Sequence, residues 1–275
     1  MRCAWKELLD ILPTRMRPAV DNLGRETARE IRLRINAPPE LVHAKGSVDL
    51  DDQVKEEDLT FCINTASRYS PWTAASISKG YLTAPGGHRI GLCGETVCKD
   101  GKPSSIKNIT SLCIRVARDY PGIAEKISRT NGSVLILGAP GWGKTTLLRD
   151  LCRQIAKTHA VAVIDERKEL FSPGNPREGK LDILTSCPKV YGIDMALRTL
   201  GPAYIAVDEI TARDDCEALI QAYNCGVFLL ASAHGASLRD YKTRSIYQPL
   251  FRKRIFDTIA VLHRDQSYTL ERMDI

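Results

Sequence analysis

Four apolar runs follow one another in the second half of the chain, and helical patterns separate them. The runs are SVLILGAP, AVAVIDER, AYIAVDEI and GVFLLASAHG, and the segments between them include TTLLRDLCRQIAK and DDCEALIQAYN. Near-continuous apolar strands that alternate with helices are typical of a parallel sheet that is covered on both faces. Ligands of such sheets bind beyond the carboxyl ends of the strands, and all four runs end in polar or glycine-rich residues. We therefore expect a mainly parallel α/β domain with a ligand site at one edge.

The first half of the chain has a different pattern. EIRLRINAPPEL predicts two strands joined by a proline turn, and GYLTAPGGHRIGLC predicts a hairpin at the Gly-Gly pair. In the strand around CIRVARD, alternation places Leu112, Ile114 and Val116 on one face and Arg115 on the other. A length of 275 residues suits two domains. We expect a smaller α+β domain over residues 1–122 and the α/β domain over 123–275.

Composition excludes several classes. Hydrophobic residues make up 43% of the chain and charged residues 26%, as in an ordinary globular protein. No apolar run reaches the ~18 residues of a membrane span, and the N-terminus predicts a packed first helix bearing Trp5, Leu8, Leu9 and Leu12 rather than a signal peptide. The nine cysteines form no C-x-x-C pair, which argues against a zinc or disulfide framework and favours a reducing cytosol.

The first apolar run leads into GAPGWGKT, residues 138–145, which matches G-x-x-x-x-G-K-[ST]. Glycines let the backbone amides of such a loop turn toward phosphate oxygens, and the next helix adds the positive end of its dipole. Lys144 is then placed to neutralise the β and γ phosphates of a nucleotide, and the Thr145 hydroxyl to coordinate Mg²⁺. The predicted nucleotide-binding residues are Gly138, Ala139, Pro140, Gly141, Trp142, Gly143, Lys144, Thr145 and Thr146.

A magnesium–nucleotide site also needs a carboxylate at the end of a neighbouring strand. YIAVDE supplies Asp208, which we expect to hold Mg²⁺ through water, and Glu209, which is placed to polarise an attacking water. His234 follows another apolar run, so we expect it to sense the γ-phosphate. The sequence therefore predicts an ATP site with Mg²⁺ at the strand ends.

The order of these segments resembles the secretion and pilus-retraction ATPases of the type II/IV class. In that class the loop is the Walker A motif, DERKE corresponds to the "Asp box", YIAVDEI to the Walker B strand and ASAHG to the "His box". The N-terminal half, with EIRLRINAPPEL, GGHRIGLCGE and ITSLCIRVARD, resembles more closely the stage III sporulation AA family of spore-forming bacteria. The resemblance covers nearly the whole chain.

The resemblance implies a RecA-like P-loop NTPase core behind the smaller domain, assembled as a homo-hexamer with ATP between domains and subunits. It implies arginines from the N-terminal domain on the γ-phosphate; Arg115 is the first candidate, followed by Arg118 and Arg89. Arg198 matches an arginine near a subunit interface, whereas Arg213 lies too late for the family's position. The resemblance also implies a cytoplasmic protein that is peripheral to a membrane-embedded sporulation channel on the mother-cell side. It does not identify the transported cargo.

By the same resemblance, the Asp box orients or deprotonates the attacking water. Glu166 and Glu169 are both candidates, because a strand-end loop does not decide which side chain turns inward. The alternative is that Asp165, Glu166 and Glu169 pair with Arg167 and Lys168 at the surface.

Two other functions fit a P-loop protein. A nucleic-acid-dependent ATPase is compatible with the net charge of +6 and the basic run FRKRIF, although no aromatic and basic single-strand platform is evident, so a nucleic-acid partner is disfavoured. A small-molecule kinase would need an acceptor pocket or lid, which the sequence does not show. The favoured hypothesis is an ATP-hydrolysing motor that powers a membrane-associated complex during sporulation.

Overall fold

The computed structural model describes residues 3–68, 80–99, 102–171 and 177–273. The chain divides into two compact units, the first ending at Asp119 and the second beginning at Tyr120, whereas the sequence changes character after Gly122. Each unit contains its own sheet and its own hydrophobic core.

The first unit is built on a six-stranded antiparallel sheet with strand order β3-β2-β1-β6-β5-β4. Both the proline-turn strand pair and the Gly-Gly hairpin are confirmed as neighbouring antiparallel strands. The strands are β1 Glu30–Arg34, β2 Glu40–His43, β3 Gly46–Asp49, β4 Tyr81–Thr83, β5 Arg89–Lys99 and β6 Lys102–Arg115. The helices are α1 Trp5–Asp10, α2 Arg17–Gly24 and α3 Glu56–Ser67.

Alternation along the strands builds the core of this unit. Ile31 and Leu33 of β1 are fully buried, as is Ile114 of β6, and Leu112 is nearly so. Arg32 and Arg34 of β1 point to the other face. The predicted first helix is confirmed over Trp5–Asp10, with Trp5 packed into the same core, whereas Leu12 lies beyond its end. One face of the sheet is therefore apolar and the other carries the charges.

His88 fastens the N-terminal segment of this unit. The ring is fully buried, its Nδ1 accepts the Ala117 amide at 3.0 Å and its Nε2 lies 2.9 Å from the Ala4 carbonyl. These partners require a neutral ring with the proton on Nε2. Burial lowers the pKa of His88, although the Ala4 carbonyl acts in the opposite direction.

The second unit is built on a seven-stranded sheet with order β13-β12-β7-β11-β10-β8-β9, parallel except for the edge strand β13. The strands are β7 Val134–Gly138, β8 Val161–Asp165, β9 Leu181–Thr185, β10 Tyr204–Glu209, β11 Phe228–His234, β12 Thr258–Leu262 and β13 Tyr268–Arg272. The helices are α4 Glu125–Ser128, α5 Lys144–Ala156, α6 Lys189–Thr199, α7 Arg213–Asn224, α8 Leu238–Thr243 and α9 Gln248–Arg252.

Alternate side chains of the central strands enter two different cores. Val134 and Ile136 of β7 pack with helix α5 on one face, whereas Leu135 and Leu137 pack with residues of α6 and α7 on the other. Burial on both faces explains why these strands are apolar at every position. The predicted mainly parallel α/β core is confirmed, and the four predicted strands are its centre, β7, β11, β10 and β8.

The described ranges contain no helix with both the length and the apolarity needed to span a bilayer. All nine cysteines are free thiols.

Candidate functional site

Four neighbouring strands bring the predicted site residues to one edge of the parallel sheet. In the order β7, β11, β10 and β8, the strands end at Gly138, His234, Glu209 and Asp165. His234 is the direct register partner of Gly138. Since the carboxyl ends of parallel strands meet at the same edge, residues about 100 positions apart become neighbours.

The loop after β7 has the backbone conformation of a phosphate-binding turn. Gly141 and Gly143 have φ angles of 77° and 103°, which L side chains rarely adopt. An added Cβ at either glycine would meet no atom within 4 Å, so these positions require glycine for conformation rather than for space. Helix α5 begins directly after Gly143, and its first turn directs free amides toward the loop.

Lys144 turns back over this loop. Its side chain is mostly buried, and its Nζ lies 3.3 Å from the Ala139 carbonyl and 3.5 Å from His234 Nδ1. Burial lowers the pKa of Lys144, while the carboxylates of Glu209 and Asp208 act to raise it. An ammonium that is already desolvated and lies inside a glycine loop is suited to binding a phosphate oxygen.

Asp208 lies where the register of β10 against β11 shifts, between Val207 and Glu209. The Thr145 hydroxyl donates to Asp208 Oδ1 at 3.5 Å. Burial raises the pKa of Asp208 to about 6, and the carboxylates of Glu169, Asp165 and Glu209 add to the rise. This concentration of negative charge favours a cation beside Asp208.

Glu209 and His234 are in contact through Oε1 and Nε2. Because the Lys144 ammonium can only donate, His234 Nδ1 is the acceptor and the ring proton lies on Nε2, facing Glu209. The three side chains form a continuous polar chain from the phosphate loop to the end of β10.

The loop after β8 is fixed by Asp165 and Arg149. Asp165 is fully buried and accepts the backbone amides of Glu169, Leu170 and Phe171 at 2.8, 3.2 and 2.9 Å. The Arg149 guanidinium, on helix α5, donates to the carbonyls of Leu170 and, at 2.8 Å, Glu169. Asp165 therefore organises the loop, and it does not pair with Arg167 or Lys168 as the surface alternative supposed.

Glu166 and Glu169 have different surroundings. Glu166 Oε2 accepts from Lys189 Nζ at 2.7 Å, whereas Glu169 is exposed and its charge acts on Asp208. The sequence reasoning missed Lys189 and Arg149, whose partners lie 20 to 23 positions away in the chain, so that only the tertiary fold identifies them. It also missed Asp215, although a carboxylate three residues after Ala212 is a local signal for a helix N-terminus.

The candidate arginines belong to the first unit. Arg115 ends β6, has a side chain 66% exposed and lies 3.6 Å from Glu30. Arg118 donates to the carbonyls of Gly24, Arg25 and Ala28 at 3.5, 3.1 and 3.0 Å. Arg89 stacks 4.1 Å above the Tyr81 ring.

In the second unit, Arg198 pairs with Asp194 on the exposed side of α6 at 2.8 Å. Arg213 is the first residue of α7.

The residues at this edge fit a magnesium nucleotide. The glycine loop and Lys144 suit phosphates, and the Thr145 hydroxyl beside Asp208 suits an oxygen-seeking cation. Among the described residues, no group of three or more His, Cys, Asp or Glu side chains could hold a metal by itself. A Mg²⁺ ion bound through Thr145, water and substrate phosphates needs no such group.

Fold and loop together define the chain as a P-loop protein with a RecA-like core. The X-ray structure of the Legionella pneumophila ATPase DotB matches it with a TM-score of 0.59 and 18% identity, over 94% of this chain and 79% of that chain. The pilus retraction motor PilT with bound ADP matches with a TM-score of 0.63 and 15% identity, over 96% and 81%. At identities this low, the two matches establish a common fold and nothing further.

Sequence relatives narrow the class to a family. The model of "Sporulation stage III, protein AA" matches residues 4–270. Stage III sporulation protein AA of Bacillus subtilis is 34% identical over 278 residues, 94% of this chain and 91% of that protein. The chain belongs to the sporulation stage III protein AA family, which confirms the family expected from the sequence.

A plant relative matches this chain over a smaller part of its own length. Protein SEEDLING PLASTID DEVELOPMENT 1 of Arabidopsis thaliana is 26% identical over 84% of this chain but only 33% of its own.

Proposed function

We propose that this protein is a Mg²⁺-dependent ATPase. The observation that supports this most directly is the convergence of Lys144, Thr145, Asp208, Glu209 and His234 at one strand-end edge, beside a glycine loop in the phosphate-binding conformation. The solved structures of similar fold include one named as an ATPase and one with bound ADP. The loop chemistry and the fold thus favour the same substrate class.

Each side chain has a role in this proposal. The loop amides and Lys144 hold the β and γ phosphates, while Thr145 and Asp208 hold the metal, which supplies positive charge against the phosphates. Glu209 orients the water that attacks the γ-phosphorus, and an Asp-box carboxylate receives the proton of that water. As the new P–O bond forms, the bond to the β-phosphate oxygen breaks and ADP leaves. His234, which contacts both Lys144 and Glu209, couples the presence of the γ-phosphate to the position of the Glu209 carboxylate.

We also propose the biological setting that the family suggests. The protein would be a motor that acts on a membrane-associated sporulation complex as a homo-hexamer at the cytoplasmic face, with Arg115 of the first unit reaching the γ-phosphate. Family membership and the likeness to a pilus retraction motor support this setting.

Phosphate release from ATP by the purified full chain tests the enzymatic proposal. We expect hydrolysis with Mg²⁺, none with excess chelator, and loss of both ADP binding and turnover in Lys144→Ala. Lys157→Ala is the matched control, because Lys157 lies at the other end of α5 and its Nζ donates to Gln154 at the surface. Hydrolysis that Lys144→Ala leaves intact would refute the assignment of the site.

A further inference from the structure

The most informative polar contact outside the phosphate loop is a bridge between the two acidic strand ends. Lys189, the first residue of α6, is only 7% exposed, and its Nζ lies 2.7 Å from Glu166 Oε2 and 3.6 Å from Asp215 Oδ2. Glu166 directly follows β8, and Asp215 lies in the first turn of α7, after β10. One buried ammonium therefore connects the segments that follow both strands.

Asp215 is itself part of a built turn. Its Oδ2 accepts the amides of Thr211 and Ala212 at 2.9 and 3.1 Å and the Thr211 hydroxyl at 3.3 Å. This turn begins two residues after Glu209. The position of the Asp215 carboxylate is thus tied to the backbone that carries the end of β10.

The other end of the bridge is equally constrained. Glu166 is next to Asp165, whose carboxylate fixes the loop through three amides. Without the ammonium, Glu166 and Asp215 would be two carboxylates near one buried site, and their repulsion would separate the two segments. Glu166 Oε2 already accepts from an ammonium at 2.7 Å, so this oxygen is engaged within the bridge.

We infer that Lys189 is a positioning residue that holds the loop after β8 and the turn after β10 in register, and that Glu166 serves this bridge rather than accepting a proton. Glu169 is then the Asp-box carboxylate that remains available, in keeping with its exposure. The catalytic part of this inference rests on the proposed ATPase function. The bridge itself does not.

Hydrogen exchange of the full chain without nucleotide tests the bridge directly. In Lys189→Met we expect faster exchange at both 166–171 and 210–215, segments separated in sequence, with the central strands unchanged. Lys157→Met, which removes a single exposed hydrogen bond, should leave both segments as in the wild type. Faster exchange confined to α6, or no change, would overturn the inference.

Kinetics of the same variants test what the bridge does. We expect Lys189→Met to lower kcat by on the order of tenfold to a hundredfold while leaving the KM for Mg-ATP within about threefold, because the phosphate loop is untouched. Glu166→Gln retains an acceptor for Lys189 and should lose no more than about threefold in kcat, whereas Glu169→Gln should lose on the order of a hundredfold or more.

The opposite order, with Glu166→Gln inactive and Glu169→Gln active, would overturn the inference and identify Glu166 as the base. If Lys189→Met does not fold, the double variant Lys189→Met/Glu166→Gln removes both partners of the close pair and takes its place in the exchange experiment. A wild type that does not hydrolyse ATP would refute the proposed function, and the exchange result would then decide the bridge alone.

Discussion

Lys144 Nζ lies 3.5 Å from His234 Nδ1, and the opposite nitrogen of the same ring contacts Glu209. One imidazole thus links the lysine proposed to bind phosphate to the carboxylate proposed to orient water. A γ-phosphate that draws the ammonium toward itself would weaken the first contact and leave the ring free to follow Glu209. From this geometry we propose that His234 acts in turnover rather than in nucleotide affinity.

We therefore expect His234→Ala to reduce kcat on the order of a hundredfold, with a KM for Mg-ATP close to that of the wild type. Steady-state phosphate release measures both constants. His159→Ala is the control, since His159 is exposed and lies before β8, at the opposite edge of the sheet. An increased KM with an unchanged kcat would contradict the assignment.

Asp208→Asn should have opposite effects on stability and on ligand binding. The folded pKa of Asp208 is about 6, against an ordinary 3.8, so the folded state binds more protons than the unfolded state between these values. The ionised carboxylate then destabilises the fold by roughly 2 to 3 kcal/mol above about pH 7, and this penalty disappears as the pH falls to about 4. Asparagine cannot ionise and avoids the penalty.

Denaturant unfolding without nucleotide should consequently show Asp208→Asn to be more stable than the wild type at pH 8 and similar to it near pH 4. Mg²⁺ should strengthen ADP binding by the wild type and have little effect on the variant. A variant that is less stable at pH 8 would show that the Thr145 contact outweighs the buried charge.

Gly143→Ala separates backbone conformation from binding. Its φ of 103° is unfavourable for alanine by about 1–2 kcal/mol, although a Cβ would meet no atom within 4 Å. The strain should be relieved by a shift of the loop, so we expect a loss of ADP affinity of on the order of tenfold or more.

Gly201→Ala is the matched control for this change. Gly201 also has a positive φ, 55°, and open space around its Cβ position, but it follows helix α6. The two variants should lose similar stability in thermal unfolding, and only Gly143→Ala should lose ADP binding. Equal affinities would show that the loop tolerates a different turn.

The parts of the fold that the sequence predicts are those with local causes. Glycines and lysine at fixed spacing predict the loop before α5, and uninterrupted apolar runs predict the central strands, because those strands are buried on both faces. Strand β12 was missed, although TIAVL is largely apolar and buried throughout. The edge strands β9 and β13 were not predicted either. Their residues are partly or fully exposed, so LDILT and YTLER lack the apolar run.

The candidate site likewise has features that the sequence predicts and features that it does not. Residues at strand ends could be predicted to meet, since topology brings the ends of neighbouring parallel strands together. Their individual roles could not: Asp165 and Glu166 are adjacent, yet one fixes backbone amides and the other pairs with Lys189, 23 positions away. Which carboxylate turns toward which cation depends on tertiary packing that no local pattern encodes.

His88 should make the stability of the first unit depend on pH. Burial lowers its folded pKa below the ordinary 6.5, so the unfolded state binds the proton more readily. Stability contributed by the neutral ring is then present above about pH 7 and is lost as the pH falls through 6.5 toward the folded pKa. The wild type should therefore lose stability between pH 7.5 and pH 5.5.

Thermal unfolding of wild type and His88→Gln at these two pH values checks this prediction. Glutamine does not titrate, so the variant should be less stable than the wild type at pH 7.5, where it lacks the Ala117 and Ala4 contacts in their native geometry, and the difference should narrow at pH 5.5. The other histidines are common to both proteins, so their titration cancels in the comparison. A difference that widens on acidification would mean that the ring is protonated in the folded state, against the acceptor role that the Ala117 amide requires of Nδ1.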